Sequence, residues 1–252
     1  MNGSDFNKKI AFVTGASGGM GLRIARDLAA AGAAVTLFDL KPAPEGFDAS
    51  PGSARFVQGD LTDEASVARA LAEIVAIHGR LDYLVNAAGV LWFDRDRSLL
   101  DIDLEVWDQV LAVNLKSVVH TVRHAVPAMR LAGGGAMVHF SSIQCLRGDD
   151  HPQDAYQASK AGIVALSKSI AIQFAAEGIR SNVIFPGPTL SPMQARWEGR
   201  EDVQAQVAAR VPLGRIGTTR DMADACLFLL SDAASFITGT GLVVDGGITA
   251  MP

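Results

Sequence analysis

Tyr156 and Lys160 are the two residues whose types and spacing point most directly to chemistry. They lie in the run AYQASK, residues 155–160, and in a helix residues four apart share one face. A tyrosine phenol titrates near pH ~10, which is too high for proton transfer at neutral pH. A neighbouring positive charge favours the phenolate and lowers this pKa, and a second cation would lower it further. The pair therefore predicts a group that exchanges protons with a substrate.

Short apolar runs alternate with longer amphipathic segments along the whole chain, which is typical of a parallel sheet covered by helices. Most of these runs are continuously apolar, as strands buried on both faces are. The predicted strands are Ile10–Val13, Val35–Phe38, Arg55–Val57, Leu84–Val85, Met137–Phe140, Asn182–Phe185 and Leu242–Val244. We predict an α/β fold: a single-domain, Rossmann-like, doubly wound, seven-stranded parallel sheet with helices on both faces. Ligands of such sheets bind beyond the carboxyl ends of the strands.

The composition is that of a globular protein with one core. The 252 residues, 49% of them apolar, are enough for a single domain, 1–252. A net charge of −5 provides no basic surface for nucleic acid. No apolar run reaches the ~20 residues of a membrane span, and residues 1–9 lack the apolar core of a signal peptide. We expect a cytoplasmic protein with no nucleic-acid or membrane partner.

The cysteines carry little information about function. Cys145 and Cys226 form neither a CxxC pair nor a disulfide framework, which favours a reducing compartment. We predict no metal site.

A glycine-rich turn follows the first strand and precedes a helix-like run, residues 22–31. Its glycines are Gly15, Gly18, Gly19 and Gly21, a spacing that differs from GxGxxG. Glycines let a backbone turn tightly and approach a pyrophosphate, which then meets the positive end of the helix. An ordinary tight turn is the alternative, but the position between strand and helix favours a phosphate site.

Asp39 ends the second strand, 18 residues beyond Gly21. At about this offset an acidic side chain meets the adenosine ribose of a bound dinucleotide, and its charge repels a 2′-phosphate. The sequence therefore favours NAD over NADP, with Lys41 as the one nearby residue that argues for NADP. Asp39 as a solvated turn residue is the other interpretation.

Two more strand ends carry candidate cofactor residues. Asp60 follows the third strand and could accept from an adenine amino group, or it could begin the next helix together with Thr62. The fourth strand runs into Asn86-Ala87-Ala88-Gly89, whose small residues let a planar group pass close to the backbone.

Asn114 stands between Val110 and Val118 in an apolar helical stripe. Because asparagine forms helices poorly and is costly to bury unpaired, it should have a specific partner. A structural brace and a water-holding residue are both open.

Ser142 follows the fifth strand and precedes a polar loop that leads to the Tyr156 helix. A serine at this place is usually a cap or turn residue, but its nearness to that helix favours a functional role. The loop also carries His151, which we expect to be solvated. Its other polar residues include Gln144, Arg147, Asp149, Asp150 and Gln153.

The region after the sixth strand could cover a substrate. Residues 186–192 are too proline-rich for regular structure and could frame a pocket. We expect one helix over residues 193–210, part of a substrate-side lid spanning 188–212, and another over residues 211–230. A surface helix with Trp197 in the core is the alternative. The apolar end after Asp245-Gly246-Gly247 could meet a partner subunit.

Together these motifs resemble the short-chain dehydrogenase/reductase family over essentially the full length. The residues that carry the resemblance are the turn with Thr14, Gly15, Gly19 and Gly21, the run 86–89, Asn114, Ser142, Tyr156 and Lys160, Pro186-Gly187, and the run 245–247.

The resemblance implies oxidation of a secondary alcohol, or the reverse, with a nicotinamide cofactor. It implies that Tyr156 exchanges the proton, Ser142 hydrogen-bonds the same oxygen, Lys160 binds the nicotinamide ribose and lowers the pKa of Tyr156, and Asn114 holds a relay water. A homotetramer or homodimer is implied as well. The candidate NAD-binding residues are Gly15, Ser17, Gly19, Met20, Gly21, Asp39, Asp60, Leu61, Asn86, Gly89, Tyr156, Lys160, Pro186, Gly187, Thr189 and Ser191.

Two features depart from the family pattern. Ser142 and Tyr156 are 14 residues apart, one more than in many members, so we expect the loop between them to bulge. Ser191 stands where threonine is commoner.

The substrate is the least determined part of the prediction. The polar Ser142–Tyr156 loop, with Arg147 able to bind a carboxylate, favours a small hydroxylated compound such as a sugar or deoxy sugar acid. Three aromatic residues favour an apolar or aromatic alcohol instead. A 3-oxoacyl reductase is disfavoured by Asp39, and a non-catalytic NAD sensor by the presence of both Tyr156 and Lys160. The candidate substrate-binding residues are Ser142, Gln144, Arg147, Gln153, Tyr156, Trp92 and Trp197, with Phe93 as the third aromatic residue.

Overall fold

Seven parallel strands form one sheet in the computed structural model, which describes residues 6–44, 54–149 and 151–252. The strands, in chain order, are β1 Ile10–Thr14, β2 Ala34–Asp39, β3 Ala54–Gln58, β4 Tyr83–Asn86, β5 Gly135–Phe140, β6 Ile179–Pro186 and β7 Gly241–Val244. Their order across the sheet is β3-β2-β1-β4-β5-β6-β7. Every predicted strand lies within an observed one, so the predicted doubly wound sheet is confirmed.

Helices cover both faces of this sheet. They are α1 Gly19–Ala30, α2 Glu64–His78, α3 Leu104–Leu111, α4 Ser117–Ala132, α5 Asp154–Gln173, α6 Glu201–Ala209 and α7 Thr219–Leu230. One core cluster packs α1 and α7 against strand residues such as Val13 and Val35. A second packs α2, α4 and α5 against the opposite face, where Phe12 and Leu84 point. Alternate residues of one strand thus enter different cores, which explains the continuously apolar strand sequences.

The strand order reverses between β1 and β4, which are hydrogen-bonded neighbours. Their carboxyl ends lie side by side, since Thr14 is the register partner of Asn86. The glycine turn after β1 therefore meets the loop after β4 at the crevice where doubly wound sheets bind ligands.

Two helix predictions were wrong. The expected helix over residues 193–210 is divided into a 3₁₀ segment, Pro192–Trp197, and α6, because Glu198 is extended and Gly199 has φ +68°. The helix expected over residues 211–230 begins only at Thr219. The side chain of Thr218 accepts from the amide of Asp221 and the Asp221 carboxylate accepts in return, a reciprocal cap that starts the helix there.

Among the helices that the structure describes, none combines the length and the apolar character needed to cross a membrane. Within the same ranges, no cluster of three or more His, Cys, Asp or Glu residues is arranged to hold a metal ion. Asp150, in the predicted substrate loop, lies outside the described residues.

Candidate active site

Ser142 and Tyr156 are brought together at the carboxyl end of β5. The Ser142 hydroxyl acts on the Tyr156 phenol and lowers its pKa, against the larger effect of burial. Ser142 caps a 3₁₀ turn, Ile143–Cys145, in which its Oγ accepts from the amide of Gln144 at 3.2 Å. This turn begins the Ser142–Tyr156 connection, whose expected bulge stays a prediction. Both side chains are buried, with 8% and 6% of their surfaces exposed.

Lys160 lies one helical turn after Tyr156 and is also buried, with 3% exposed. Its Nζ donates to the Phe140 carbonyl oxygen at 2.9 Å and lies 5.6 Å from the centroid of the Tyr156 ring. Burial lowers the pKa of Lys160 to about 8. Burial also raises the pKa of Tyr156 to about 12, against the opposite pull of the Ser142 hydrogen bond. Burial thus opposes the predicted lowering of the tyrosine pKa by positive charge, because desolvation disfavours the phenolate, and the effect of Lys160 stays a prediction.

Asp96 anchors the helix that carries this pair, and sequence reasoning missed it. Its carboxylate accepts from the amides of Ala155 and Tyr156 at 3.1 and 2.8 Å, and only 1% of the residue is exposed. Gln153, the residue at the cap position of α5, makes no side-chain cap hydrogen bond. Asp96 supplies this cap from a distant loop. In the sequence it stands in the run DRDR, where it is indistinguishable from a solvated charge.

Asn114 braces the loop after β4 against α5. Its Oδ1 accepts from the Val90 amide at 2.7 Å, and its Nδ2 donates to the Val90 carbonyl at 3.0 Å and to Ser159 Oγ at 3.1 Å. It lies in a π-helical turn, Ala112–Lys116, that joins α3 to α4. The predicted specific partner is confirmed, and it is a neighbouring peptide unit. Such a wide turn is often found at functional sites.

The glycine turn adopts backbone geometry that side chains would block. Gly15 has φ +67°, and a Cβ on it would lie 2.7 Å from Ala88 Cα. A Cβ on Gly21 would lie 2.3 Å from the Gly15 carbonyl oxygen. Gly18 precedes α1 without a capping side chain, and the first turn of α1 contains no acidic residue. The amides of residues such as Gly19 and Met20 at this positive helix end suit a pyrophosphate.

Asp39 is part of the same turn region. Its Oδ2 accepts from the Ser17 amide at 3.0 Å and its Oδ1 from the Lys41 amide at 2.9 Å. The carboxylate thus joins the end of β2 to the glycine turn. The interpretation of Asp39 as merely a solvated turn residue does not agree with these contacts.

Asp60 and Leu61 follow β3, at the same edge of the sheet. Asp60 Oδ1 accepts from the amide and the hydroxyl of Thr62, both at 2.8 Å. Helix α2 begins later, with Asp63 as its cap, so Asp60 does not start the helix. Leu61 is buried, and its carbonyl bonds His120 Nδ1 at 2.9 Å.

Asn86 is held by a buried polar network at the end of β4. Its Oδ1 accepts from the Thr121 hydroxyl at 3.0 Å, and its Nδ2 lies 3.0 Å from His139 Nδ1. Burial lowers the pKa of His139 to about 4, so this ring is neutral at physiological pH. The network fixes the strand end from which residues 87–89 continue.

The segment after β6 lies against the glycine turn. A Cβ on Gly19 would lie 3.8 Å from Ser191 Cβ. Thr189 is buried and its hydroxyl donates to the Gly187 carbonyl at 2.9 Å. Gly187 in turn permits close approach to Asp245, whose Cα would be 2.6 Å from a Cβ on it. The Pro186-Gly187 pair and the run 245–247 are therefore in direct contact, and this contact requires a glycine at position 187.

The predicted substrate residues do not share one environment. Gln144 and Gln153 bond to each other at 3.0 Å, and Gln144 Nε2 also donates to Asp149 Oδ2 at 2.7 Å. Trp92 packs in the cluster that contains Tyr156. Trp197 is buried, in line with the alternative that places it in the core.

Two arginines lie in the loops near the candidate site, and the role predicted for Arg147 stays a prediction. Arg147 is exposed on its loop. Arg196, which sequence reasoning passed over as part of a helix, stacks its guanidinium 3.6 Å from the centroid of the Phe93 ring. Phe93 and Arg196 are 103 positions apart in the sequence, so only the fold could reveal that they are in contact.

A family model described as Enoyl-(Acyl carrier protein) reductase matches residues 15–249. The chain belongs to the short-chain dehydrogenase/reductase family. It is an oxidoreductase of the class that acts on alcohols or ketones, and the family binds a nicotinamide cofactor.

Two curated relatives and one solved structure illustrate the range of this dehydrogenase/reductase family. The chain is 40% identical to cis-4-hydroxycyclohexanecarboxylate dehydrogenase of Sinomonas cyclohexanicum over 99% of this chain and 100% of that protein. It is 36% identical to cyclohexanol dehydrogenase of an Acinetobacter species over 97% and 96%. Aldohexose dehydrogenase of Thermoplasma acidophilum has a TM-score of 0.90 and 29% identity over 99% of this chain and 97% of that one.

Replacing Asp96 tests the anchoring of α5 in this dehydrogenase/reductase. Asp96→Ala leaves two buried amides without their acceptor, so the free energy of unfolding should fall by roughly 1–3 kcal/mol and turnover should fall with it. Denaturant unfolding and initial rates measure both effects. Asp94→Ala, an exposed position in the same loop, is the matched control and should behave as wild type. Equal behaviour of the two variants would exclude the anchoring role.

Replacing Lys160 tests the cost of its burial. Its folded-state pKa of about 8 lies below its usual value of 10.5, so the unfolded chain binds more protons between these values. The penalty is complete below pH 8 and disappears as the pH approaches 10.5. Lys160→Met should therefore be more stable than wild type at pH 7, by roughly 1–3 kcal/mol, with the difference shrinking as pH rises.

Chemical denaturation at several pH values measures this difference. Lys168→Met, at an exposed position of the same helix, should leave the unfolding free energy nearly unchanged throughout. A Lys160→Met protein less stable than wild type at pH 7 would show that burial of the amine carries no net cost.

Proposed function

We propose that the protein is an NAD-dependent dehydrogenase that oxidises a secondary alcohol on a small ring compound, or reduces the corresponding ketone. The observation that carries the proposal is the common burial of Ser142, Tyr156 and Lys160, with the lysine amine 5.6 Å from the centroid of the Tyr156 ring. Such a cluster is costly to bury, and perturbed groups of this kind concentrate at functional sites.

The chain's own groups divide the chemistry. Tyr156, as the phenolate, takes the hydroxyl proton of the alcohol while the Ser142 hydroxyl hydrogen-bonds the same oxygen. When bound, the nicotinamide supplies the acceptor for the hydride leaving the alcohol carbon and a positive charge beside the phenol. Lys160 adds its own charge and binds the nicotinamide ribose. Because burial alone raises the pKa of Tyr156 to about 12, both charges are needed for proton transfer near neutral pH.

Asn114 has a positioning role in this proposal. Its bonds to Val90 hold the loop beside Gly89, where a Cβ would lie 3.1 Å from Lys160 Nζ and 3.3 Å from Asn114 Oδ1. The absence of a side chain at Gly89 keeps this space open above the lysine. The water relay through Asn114 remains a prediction.

The residues at the carboxyl edge fit a dinucleotide. The uncapped start of α1 and the close backbone approach at Gly15 suit the pyrophosphate. Asp39 suits the hydroxyls of the adenosine ribose, and its charge supports NAD over NADP. Asp60, Leu61 and the segment with Thr189 and Ser191 complete the proposed cofactor site.

For the substrate, we favour a cyclic secondary alcohol over a sugar. Gln144 and Gln153 bond to each other, so fewer polar groups face a polyhydroxylated ring than the sequence indicated. Trp92, packed with Tyr156, offers an apolar wall. Both curated relatives named above act on cyclohexane rings, which supports this choice, while the aldohexose dehydrogenase keeps sugars in the test.

The lid and the assembly also belong to the proposal. We propose that residues 188–212 cover the substrate, with Trp197 as their buried anchor.

A groove of about 790 Å³ between α3, α4 and α5 is lined by apolar residues such as Leu111, Leu115 and Val119. We propose that subunits of a homotetramer or homodimer meet at this groove.

Tyr156→Phe tests the proton-transfer role. The variant keeps the ring and its packing but has no phenol, so turnover should fall on the order of 10²–10⁴-fold while NAD binding is retained. NAD reduction with cyclohexanol, 4-hydroxycyclohexanecarboxylate, hexoses and sugar acids measures turnover, and fluorescence titration measures binding. Near-normal turnover in the variant would remove Tyr156 from the mechanism. Bound NAD with no turnover of any alcohol by wild type would favour the non-catalytic sensor.

Asp39→Asn tests cofactor choice. The amide keeps the size of the side chain and removes the charge that repels a 2′-phosphate, so the preference for NAD over NADP should fall about 10-fold or more. The ratio of kcat/KM for the two cofactors is the measurement. Asp63→Ser, which retains a helix cap outside the proposed site, is the control and should not change the ratio. An unchanged ratio in Asp39→Asn would show that other residues determine the preference for NAD over NADP.

A further inference from the structure

Three loops from neighbouring strand ends meet around one guanidinium. Phe93 follows β4, Asp149 follows β5 and Arg196 follows β6. The Arg196 Cζ atom lies 3.6 Å above the Phe93 ring, and its Nε donates to Gln194 Oε1 at 3.1 Å. Stacking on one side and a bond from Nε leave the terminal nitrogens of the fork as its remaining donors.

The charge of this guanidinium is weakly compensated. Although much of the residue is exposed, desolvation of its head lowers the pKa of Arg196, while the attraction of Asp149 acts in the opposite direction. Within the described ranges, no carboxylate oxygen lies in ion-pair distance of the Arg196 guanidinium. An anion brought to this place would therefore gain a charge-assisted contact that the described residues do not already make.

Arg196 is connected to the reacting groups through a short series of contacts. The Ser142 hydroxyl accepts from the Gln144 amide, and the Gln144 side chain donates to Asp149. The Asp149 carboxylate attracts Arg196. On the other side, Phe93 follows Trp92, which packs with Tyr156. Arg196 is thus linked through neighbouring loops to both Ser142 and Tyr156.

We infer that Arg196 binds a carboxylate of the substrate, at the end opposite to the hydroxyl that Tyr156 deprotonates. The inference rests on the proposed function and narrows its substrate class to cyclic secondary alcohols that carry a carboxylate. Phe93 holds the guanidinium plane, and Gln194 fixes its rotation, so that the fork can meet a carboxylate with two parallel hydrogen bonds. This assigns to Arg196 the role that the sequence indicated for Arg147.

A purely structural role for Arg196 has different consequences. If the stack on Phe93 only fastened the segment after β6, removing it would affect charged and neutral substrates equally. If Arg196 binds a carboxylate, only the charged substrate suffers. The pair 4-hydroxycyclohexanecarboxylate and cyclohexanol separates these two cases.

Arg196→Gln should raise KM for 4-hydroxycyclohexanecarboxylate about 10- to 100-fold and leave kcat/KM for cyclohexanol unchanged. Arg196→Lys, which keeps a charge without the planar fork, should recover part of this loss. Arg200→Gln, an exposed arginine of the same segment, is the control. Equal losses on both substrates, no loss on either, or a selective loss in Arg147→Gln instead would each overturn the inference.

A binding measurement decides the inference without turnover. Cyclohexanecarboxylate, which has no hydroxyl to oxidise, should bind the NAD-saturated protein in calorimetry and should bind about 10-fold or more weakly to Arg196→Gln. Equal binding to both proteins, or none to wild type, overturns the inference. If wild type oxidises cyclohexanol as well as 4-hydroxycyclohexanecarboxylate, the inference is contradicted and the proposed function is not. If wild type oxidises no alcohol but its binding of cyclohexanecarboxylate still depends on Arg196, the proposed function is contradicted and the inference is not.

Discussion

Burial of the Tyr156–Lys160 pair is the constraint on which the rest of the structure depends. Desolvation raises the pKa of the phenol to about 12 and lowers that of the amine to about 8, so each group resists the charge that proton transfer requires. A site that is unfavourable by itself becomes useful when a further positive charge arrives. In the proposed function, this couples the acid/base chemistry of Tyr156 to the binding of the nicotinamide.

The surroundings of this pair consist of polar side chains that hold backbone segments in place. Asp96 binds the first amides of α5, and Asn114 binds the Val90 peptide while reaching Ser159 on the same helix. Both are buried, where a hydrogen bond to a fixed partner is costly to break. They hold the Tyr156 helix from two directions.

The parallel sheet explains why residues so distant in sequence share one edge. Each strand begins at the same side and ends at the other, so the loops after β1, β4, β5 and β6 converge. This convergence places Gly15 against Ala88 and Ser191 near Gly19. It also brings Arg196 onto Phe93, a contact between two loops that flank the reacting groups.

Local patterns determined the seven strands, the glycine turn and the Tyr156–Lys160 spacing, because strand burial, tight turns and helical faces depend on residues that are close in the chain. Only the tertiary structure decided the break at Gly199, the cap supplied by Asp96 and the stacking of Arg196 rather than Arg147. It also showed that burial opposes the predicted lowering of the Tyr156 pKa by positive charge. Burial and partner identity depend on packing across the fold, and a charged residue in a loop has the same sequence signature whether it is solvated or buried.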